Sequence, residues 1–179
     1  MIDKSDDKKF TRVLESHFNK AASKDHLDDF IPNCLDDYLK APFEYIINSY
    51  CKNLDNKNIL DYCCGTGVNS IVFSKKGAKI KDIDISIDSI DVAKKKFKKN
   101  NLINYEFYKM DAHSLNFEDN SFDYIICYKS LLYLNLEKSF KELNRVLKND
   151  GKIIILENIG ENFIFNYYRF FKHILKSKK

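Results

Sequence analysis

Between Asn58 and Glu157 the chain alternates short β-branched runs with stretches whose apolar residues recur every three or four positions, and Gly, Asn or Asp marks the boundaries. The spacing predicts strands over Ile59–Tyr62, Lys79–Ile83, Asn104–Lys109, Phe122–Cys127 and Lys152–Leu156. It predicts helices over Val68–Lys75, Ser86–Lys99 and Leu136–Leu147, the second opened by Ser86 as N-cap. Strands separated by helices return parallel through right-handed crossovers. The expected fold is therefore α/β: a Rossmann-like three-layer α/β/α sandwich around a mostly parallel sheet. Such sheets bind ligands outside the carboxyl ends of their strands, where the winding direction reverses. The search for chemistry narrows to those strand ends.

The flanking segments read differently. Residues 1–57 are helical in pattern: Phe10, Val13, Leu14, His17 and Phe18 share one spacing, Leu39, Phe43, Ile46, Ile47 and Tyr50 a second, and Pro32 and Asn33 part them. Residues 158–179 form an amphipathic helical pattern. Ile164, Tyr167, Tyr168, Phe171, Ile174 and Leu175 make its apolar stripe, and Arg169, Lys172 and Lys176 its basic side. One domain is expected: an N-terminal helical part, a core over 58–157, and this final helix.

Composition excludes several classes. Only 5 Gly and 2 Pro in 179 residues leave no room for a low-complexity linker. A net charge of +4, from 30 basic and 26 acidic residues, carries no nucleic-acid inference. The five cysteines include the adjacent pair Cys63–Cys64 and show no CxxC or Cys/His ligand spacing, so reduced thiols are expected, with no structural metal. Neither a leader-like h-region nor an apolar run of spanning length is present, and a cytoplasmic protein is the expectation. The Lys94, Lys95, Lys96, Lys98, Lys99 cluster reads as a solvated helix face, and the basic tail as helix packing or, more sharply, peripheral contact with an anionic membrane.

Three consecutive strand ends carry carboxylates. Asp61 precedes Tyr62-Cys63-Cys64-Gly65-Thr66-Gly67, a strand running into a glycine loop that opens a helix. An aspartate here, with Ser70 where a dinucleotide loop usually has its third glycine, suits a cationic ligand better than a pyrophosphate. Asp84 ends the second strand, 23 residues after Asp61, at the spacing of a ribose acceptor, and is preferred over Asp82 because it stands at the strand exit. Asp111 follows the third strand, where a carboxylate can accept from an adenine amine and the next amide, that of Ala112, can donate to a ring nitrogen. Singly each acid has a bland reading as a turn or helix-start residue. Their joint placement favours a site.

With these residues in hand, the stretch from Asn58 to Glu157 resembles the class I S-adenosylmethionine-dependent methyltransferases, most closely the small-molecule group that includes quinone-ring methyltransferases. ILDYCCGTG resembles the first motif of that family, IKDIDISIDSIDVAKKK the second, and KMDAHSLNFEDNSFDYIIC the third and fourth. LNRVLKNDGKIIILE completes the order. The resemblance implies S-adenosylmethionine as cofactor. It places Asp61, Cys63, Gly65 and Gly67 at the methionine end, Asp84 and Ile85 at the ribose, Asp111 and Ala112 at the adenine, and Cys127 and Tyr128 beside the methyl. It makes the N-terminal helices a lid.

Two departures stand out. Cys63 occupies the place of the first loop glycine, and the 22 residues after Glu157 are too few for a helix and both of the further strands that end the family's sheet, so the expectation is either a truncated form or a tail helix that covers the edge those strands would pair with. The expected function is methyl transfer to a small-molecule acceptor. The alternative is a catalytically silent, methyltransferase-like binding or partner subunit, and a Rossmann oxidoreductase comes third. No catalytic residue is assigned. His113, His17, Tyr128 and Tyr133 all have plainer structural readings, and Cys127-Tyr128-Lys129-Ser130 lacks the proline-aromatic run of amino-methylating enzymes.

Overall fold

The computed structural model describes residues 7–22, 45–51 and 53–157. The expected C-terminal helix, with its membrane-contact reading, lies outside them. Strands β1 (Asn58–Tyr62), β2 (Lys79–Asp84), β3 (Tyr105–Lys109), β4 (Phe122–Tyr128) and β5 (Leu147–Leu156) form one sheet in the order β3-β2-β1-β4-β5. Every adjacent pair is parallel. The strand period of two divides the core between the faces. Leu60, Tyr62, Ile125 and Cys127 face one side, beneath Leu143 and Val146 of α5 (Leu136–Val146). Ile59, Ile80, Ile126 and Ile154 face the other, beneath Ile47 of α2 (residues 45–50) and Phe73 of α3 (Val68–Ser74). On that second side α4 (Ile87–Lys99) covers β2 and β3, with Phe97 edge-on to Tyr105 at 4.8 Å and to Phe107 at 5.0 Å. The three layers expected from the alternation are therefore present.

Ser86 caps α4, accepting from the Ser89 amide at 3.1 Å. The lysine-rich face of that helix is solvated, with Lys94, Lys95, Lys98 and Lys99 all exposed. One boundary differs from expectation: β5 begins at Leu147, not Lys152. Leu147 pairs with Phe122 and Lys152 with Tyr124, so residues 148–151 make an excursion opposite Asp123 alone. Asn149-Asp150-Gly151 thus reads locally as a turn, whereas the ladder to β4 and the Lys148 Nζ–Asp123 ion pair at 3.0 Å hold the segment against the sheet. No helix among the described residues is long and apolar enough to cross a membrane.

Three ties bring the remaining pieces over the strand ends. Helix α1 (Asp7–Ala22) meets Lys109 through Glu15, the α4 cap through a 2.6 Å bond from Ser86 Oγ to Asn19 Oδ1, and Tyr133 through the edge of Phe18 at 5.2 Å. Arg145 of α5 donates to the carbonyls of Leu115 (2.8 Å) and Phe117 (2.7 Å), clamping the long β3–β4 connection. The buried Tyr62 hydroxyl donates to the Ala112 carbonyl at 2.6 Å, fixing that same connection to the end of β1. Tyr62→Phe strands a buried carbonyl, which costs about 1–3 kcal/mol. Its thermal midpoint should fall by roughly 2–4 °C per kcal/mol for a chain of this size, read by differential scanning fluorimetry.

Candidate functional site

The loop after β1 is left-handed at three positions: Cys63 (φ +61°), Gly65 (φ +55°) and Gly67 (φ +71°). Two are glycines for different reasons. A Cβ at Gly67 would stand 3.0 Å from Cβ of Ala93 and 3.3 Å from the Phe97 ring, so the close approach of loop and α4 requires its absence. A Cβ at Gly65 would meet nothing within 4 Å, and the backbone there is bare toward the space above it. Cys63 does carry a side chain in this conformation, which costs about 1–2 kcal/mol. The pattern is informative against the rest of the chain. Among the described residues, five of the seven non-glycine positions with positive φ are asparagines, the residue that tolerates it, and the other two are Cys63 and Lys129.

The ends of β2, β3 and β4 meet this loop. Asp84 accepts from the Gly65 amide at 2.8 Å (Oδ2) and the Ser86 amide at 2.9 Å (Oδ1). Burial raises its pKa, and those amides oppose the rise. A carboxylate has about four acceptor sites, so two bonds leave Asp84 able to accept both hydroxyls of a ribose. Asp111 accepts from the His113 amide (2.9 Å) and from its Nδ1 (2.8 Å), both at Oδ1, which leaves Oδ2 as acceptor. The His113 ring bond, foremost, holds this carboxyl below its ordinary pKa. After β4, the amides of Ser130 (2.7 Å) and Leu131 (2.8 Å) donate to Glu157 at the end of β5, and Ser130 Oγ lies 3.0 Å from Cys127 Sγ.

Together they enclose a cavity of about 700 Å³, closed on its far side by Leu14 and Phe18 of α1. Its size and its mixture of apolar walls with a few acceptors suit one small ligand. Of the residues singled out in the sequence, Cys63, Gly65, Asp84 and Ile85 line it from β1 and β2, and Asp111, Ala112 and Tyr128 from β3 and β4. Asp61, Gly67 and Cys127 do not. They lie behind the wall, because Asp61 and Cys127 point into the layers that β1 and β4 bury and Gly67 is pressed against α4.

Beneath the floor lies a cluster the sequence reading missed. Register places Asp61 beside Asp82 on neighbouring strands, and the Ser70 hydroxyl bridges the two carboxyls. Both acids are almost fully buried, and Oδ2 of Asp82 has no partner. Burial first, and the two groups' mutual repulsion in addition for Asp82, raise both pKa values, so the pair retains a proton. The signal that could have found this is the register itself: two acids on one face of paired strands need a shared donor, and Ser70 stands where one fits. It also explains why Ser70 replaces a glycine.

None of His113, His17 and the described thiols near the cavity is set up as a proton acceptor. His113 donates through Nδ1 and receives the Asn135 amide at Nε2 (2.9 Å), so both nitrogens are committed and the ring is a brace for α5. His17 is exposed on α1 and does not line the cavity. Burial pushes the Cys63 thiol up, and Cys127 to about 11.

Comparison with known proteins agrees with this geometry. Residues 59–151 match the model of a methyltransferase domain. The demethylmenaquinone methyltransferase of Staphylococcus haemolyticus is 41% identical over 102 residues, covering 55% of this chain and 42% of the relative. That of Bacillus subtilis is 33% identical over 126 residues, covering 65% and 53%. The chain thus spans about half the length of the curated relatives it matches. A crystal structure described as a putative S-adenosyl-L-methionine-dependent methyltransferase from Methanococcus maripaludis superposes with a TM-score of 0.65 at 25% identity, covering 84% of this chain and 68% of that one. The parallel sheet order and its covering helices define an α/β three-layer domain of the Rossmann-like kind; the chain belongs to the class I S-adenosylmethionine-dependent methyltransferase family.

The buried acid pair has a measurable consequence. The Asp61–Asp82 pair keeps a proton in the folded state that the unfolded chain releases as pH rises above about 4. The folded state then binds more protons, so their contribution to stability falls as pH rises through that interval. Asp82→Asn removes one of the charges. Its thermal midpoint at pH 8 should exceed that of the wild type by several degrees, with a shallower decline between pH 5 and pH 8. An unchanged pH profile would contradict the buried, proton-sharing pair.

Proposed function

We propose that this domain binds S-adenosylmethionine in the cavity above β1–β4 and transfers its methyl group to a small-molecule acceptor. The observation that carries the reading is Asp84: a carboxylate at the exit of β2, on the cavity wall, with its backbone bonds made and acceptor capacity to spare. The fit is specific in one further respect. In a dinucleotide site the loop amides face a pyrophosphate, whereas here the Gly65 amide is committed to Asp84 and the neighbouring wall is acidic. A cationic nucleoside is the better match.

When bound, S-adenosylmethionine supplies an electrophilic methyl on a sulfonium. The chain's own residues do the rest by holding and enclosing. Asp84 takes the ribose hydroxyls, with Ile85 beside it. Asp111 accepts from the adenine amine and the Ala112 amide donates to the ring, a placement held by Tyr62 from below and by His113 from the side. The Cys63–Gly67 loop and Tyr128 bound the methionine end. Asp61 and Cys127 act from beneath, by holding Ser70 and Ser130. Leu14 and Phe18 close the cavity and keep water from the reacting centre. With no committed base in the wall, positioning and desolvation carry the rate. The names of the curated relatives support a quinone-like acceptor, and a basic C-terminal stripe suits peripheral contact with a membrane that holds such a molecule.

S-adenosylhomocysteine at 100 times its dissociation constant should stabilise the chain by about 2.7 kcal/mol, seen as a raised thermal midpoint. Asp84→Ala should abolish most of that rise, and a nicotinamide dinucleotide should give none. Equal responses to both nucleotides, or an undiminished response in Asp84→Ala, would count against this reading.

A further inference from the structure

Resting on the cofactor reading, we propose that Lys129 selects the acceptor: its ammonium receives an ionised oxygen, so that the site takes acceptors presenting an oxyanion at the β4 end of the cavity. Lys129 follows β4 directly and lines the cavity. Among the described residues it is one of the two non-asparagine, non-glycine residues held at positive φ (+56°), and both sit in this wall. The left-handed backbone is maintained by the ladder, since the Lys129 amide donates to the Leu156 carbonyl at 2.8 Å while the next two amides turn to Glu157. Strained non-glycine residues persist where the surroundings over-determine them, and they cluster at ligand sites.

The side chain is partly buried and laid on its neighbour, with Nζ 4.7 Å from the Tyr128 ring centroid. No described carboxylate lies within ion-pair distance of it. The acids of this wall make their hydrogen bonds to other partners: Asp84 to the Gly65 and Ser86 amides, Asp111 to His113, and Glu157 through Oε1 to the Ser130 and Leu131 amides, its Oε2 forming no hydrogen bond among the described residues. A partly desolvated ammonium with no ion pair to a described carboxylate favours an anion.

The histidine of this wall has no free nitrogen to take a proton, and in the cofactor reading Asp84 and Asp111 serve the adenosine end. An acceptor hydroxyl must therefore ionise by releasing its proton to water, leaving its electron pair on oxygen, and an adjacent cation shifts that equilibrium toward the anion. Lys129 thereby joins recognition to activation. A hydroxyl acidic enough to ionise beside a cation, phenolic or enolic, and a carboxylate share the chemistry that this ammonium reads; an amine acceptor does not.

The test uses 4-nitrophenol, whose absorbance reports its ionisation, with 4-nitrobenzoate as the carboxylate arm and 4-nitroanisole as the neutral isostere. Each is titrated into the full chain with saturating S-adenosylhomocysteine. The wild type should bind an anion at least about tenfold tighter than 4-nitroanisole, in keeping with a hydrogen bond to a charged group, and should lower the ionisation midpoint of bound 4-nitrophenol. Which anion gains more identifies the source of the oxyanion. Lys129→Asn, which keeps a residue tolerant of positive φ, should lose both effects, and Lys129→Arg should keep them. A wild type that binds the anisole as well as the anions, or binds none of the three, overturns the proposal. So does a Lys129→Asn protein that retains the preference. The thermal rise with S-adenosylhomocysteine separates the causes: if it persists in every variant while the anion preference fails, Lys129 alone is misassigned. If it is absent throughout, the cofactor reading falls and this inference with it.

Discussion

The pairing of β1 between β2 and β4 is the constraint from which the cavity follows. β1 is the central strand, hydrogen-bonded on both edges, with Ile59, Leu60, Asp61 and Tyr62 all buried. From it the chain winds outward through α3 to β2 and through α4 to β3, then crosses back to β4 on the opposite edge of β1, so the winding reverses above its carboxyl end and leaves a crevice there. The ladder then dictates the contents. Asp61 is pinned beside Asp82, Tyr62 beside Ile83 and Cys127, and the acids at the exits of β2 and β3 are brought within reach of one loop. A change that shifted the register of β1 by one residue would exchange the two faces of the core and scatter these groups.

Unfavourable local features gather around that crevice and are held by the surrounding packing. Cys63 and Lys129 occupy left-handed backbone, at the ends of the two strands that flank the opening. Asp61 and Asp82 share a buried serine under the floor. Each costs stability on its own. The large apolar clusters on both faces, with some 1.5–3 kcal/mol for each fully buried aliphatic side chain, offset them. Stability is thus concentrated in the sheet and strain at its carboxyl edge, an arrangement suited to a site that must be rigid before a ligand arrives.

Much of this was legible along the chain. Runs of β-branched or aromatic residues bounded by Gly, Asn and Asp marked all five strands, because strand formation here is dominated by local pattern, with burial on both faces in the central β1. The cavity acid Asp84 was legible because strand exits are countable, and it stands at one. Asp61 was singled out as a ligand-facing acid, but it lies beneath the cavity floor, and its partner Ser70 was noticed only as a missing glycine. Its tie to Asp82 depends on a register between strands that 16 residues of helix and turn separate. The start of β5 was misplaced for a related reason: Asn149-Asp150-Gly151 has turn chemistry, and the pairing with β4 and the Lys148–Asp123 bridge outweigh it.

What the sequence alone determined is the alternation of elements, the parallel sheet and the three acids at its strand ends, since these follow from periodicity and from residue types read in order. What the tertiary structure decided is which of those residues share a space. Asp84, Asp111, Tyr128 and the glycine loop meet at one cavity, Asp61 is withdrawn beneath it, α1 covers it, and Lys129 enters it. Contacts between residues tens of positions apart are set by strand order, register and packing, which no local window of the chain contains.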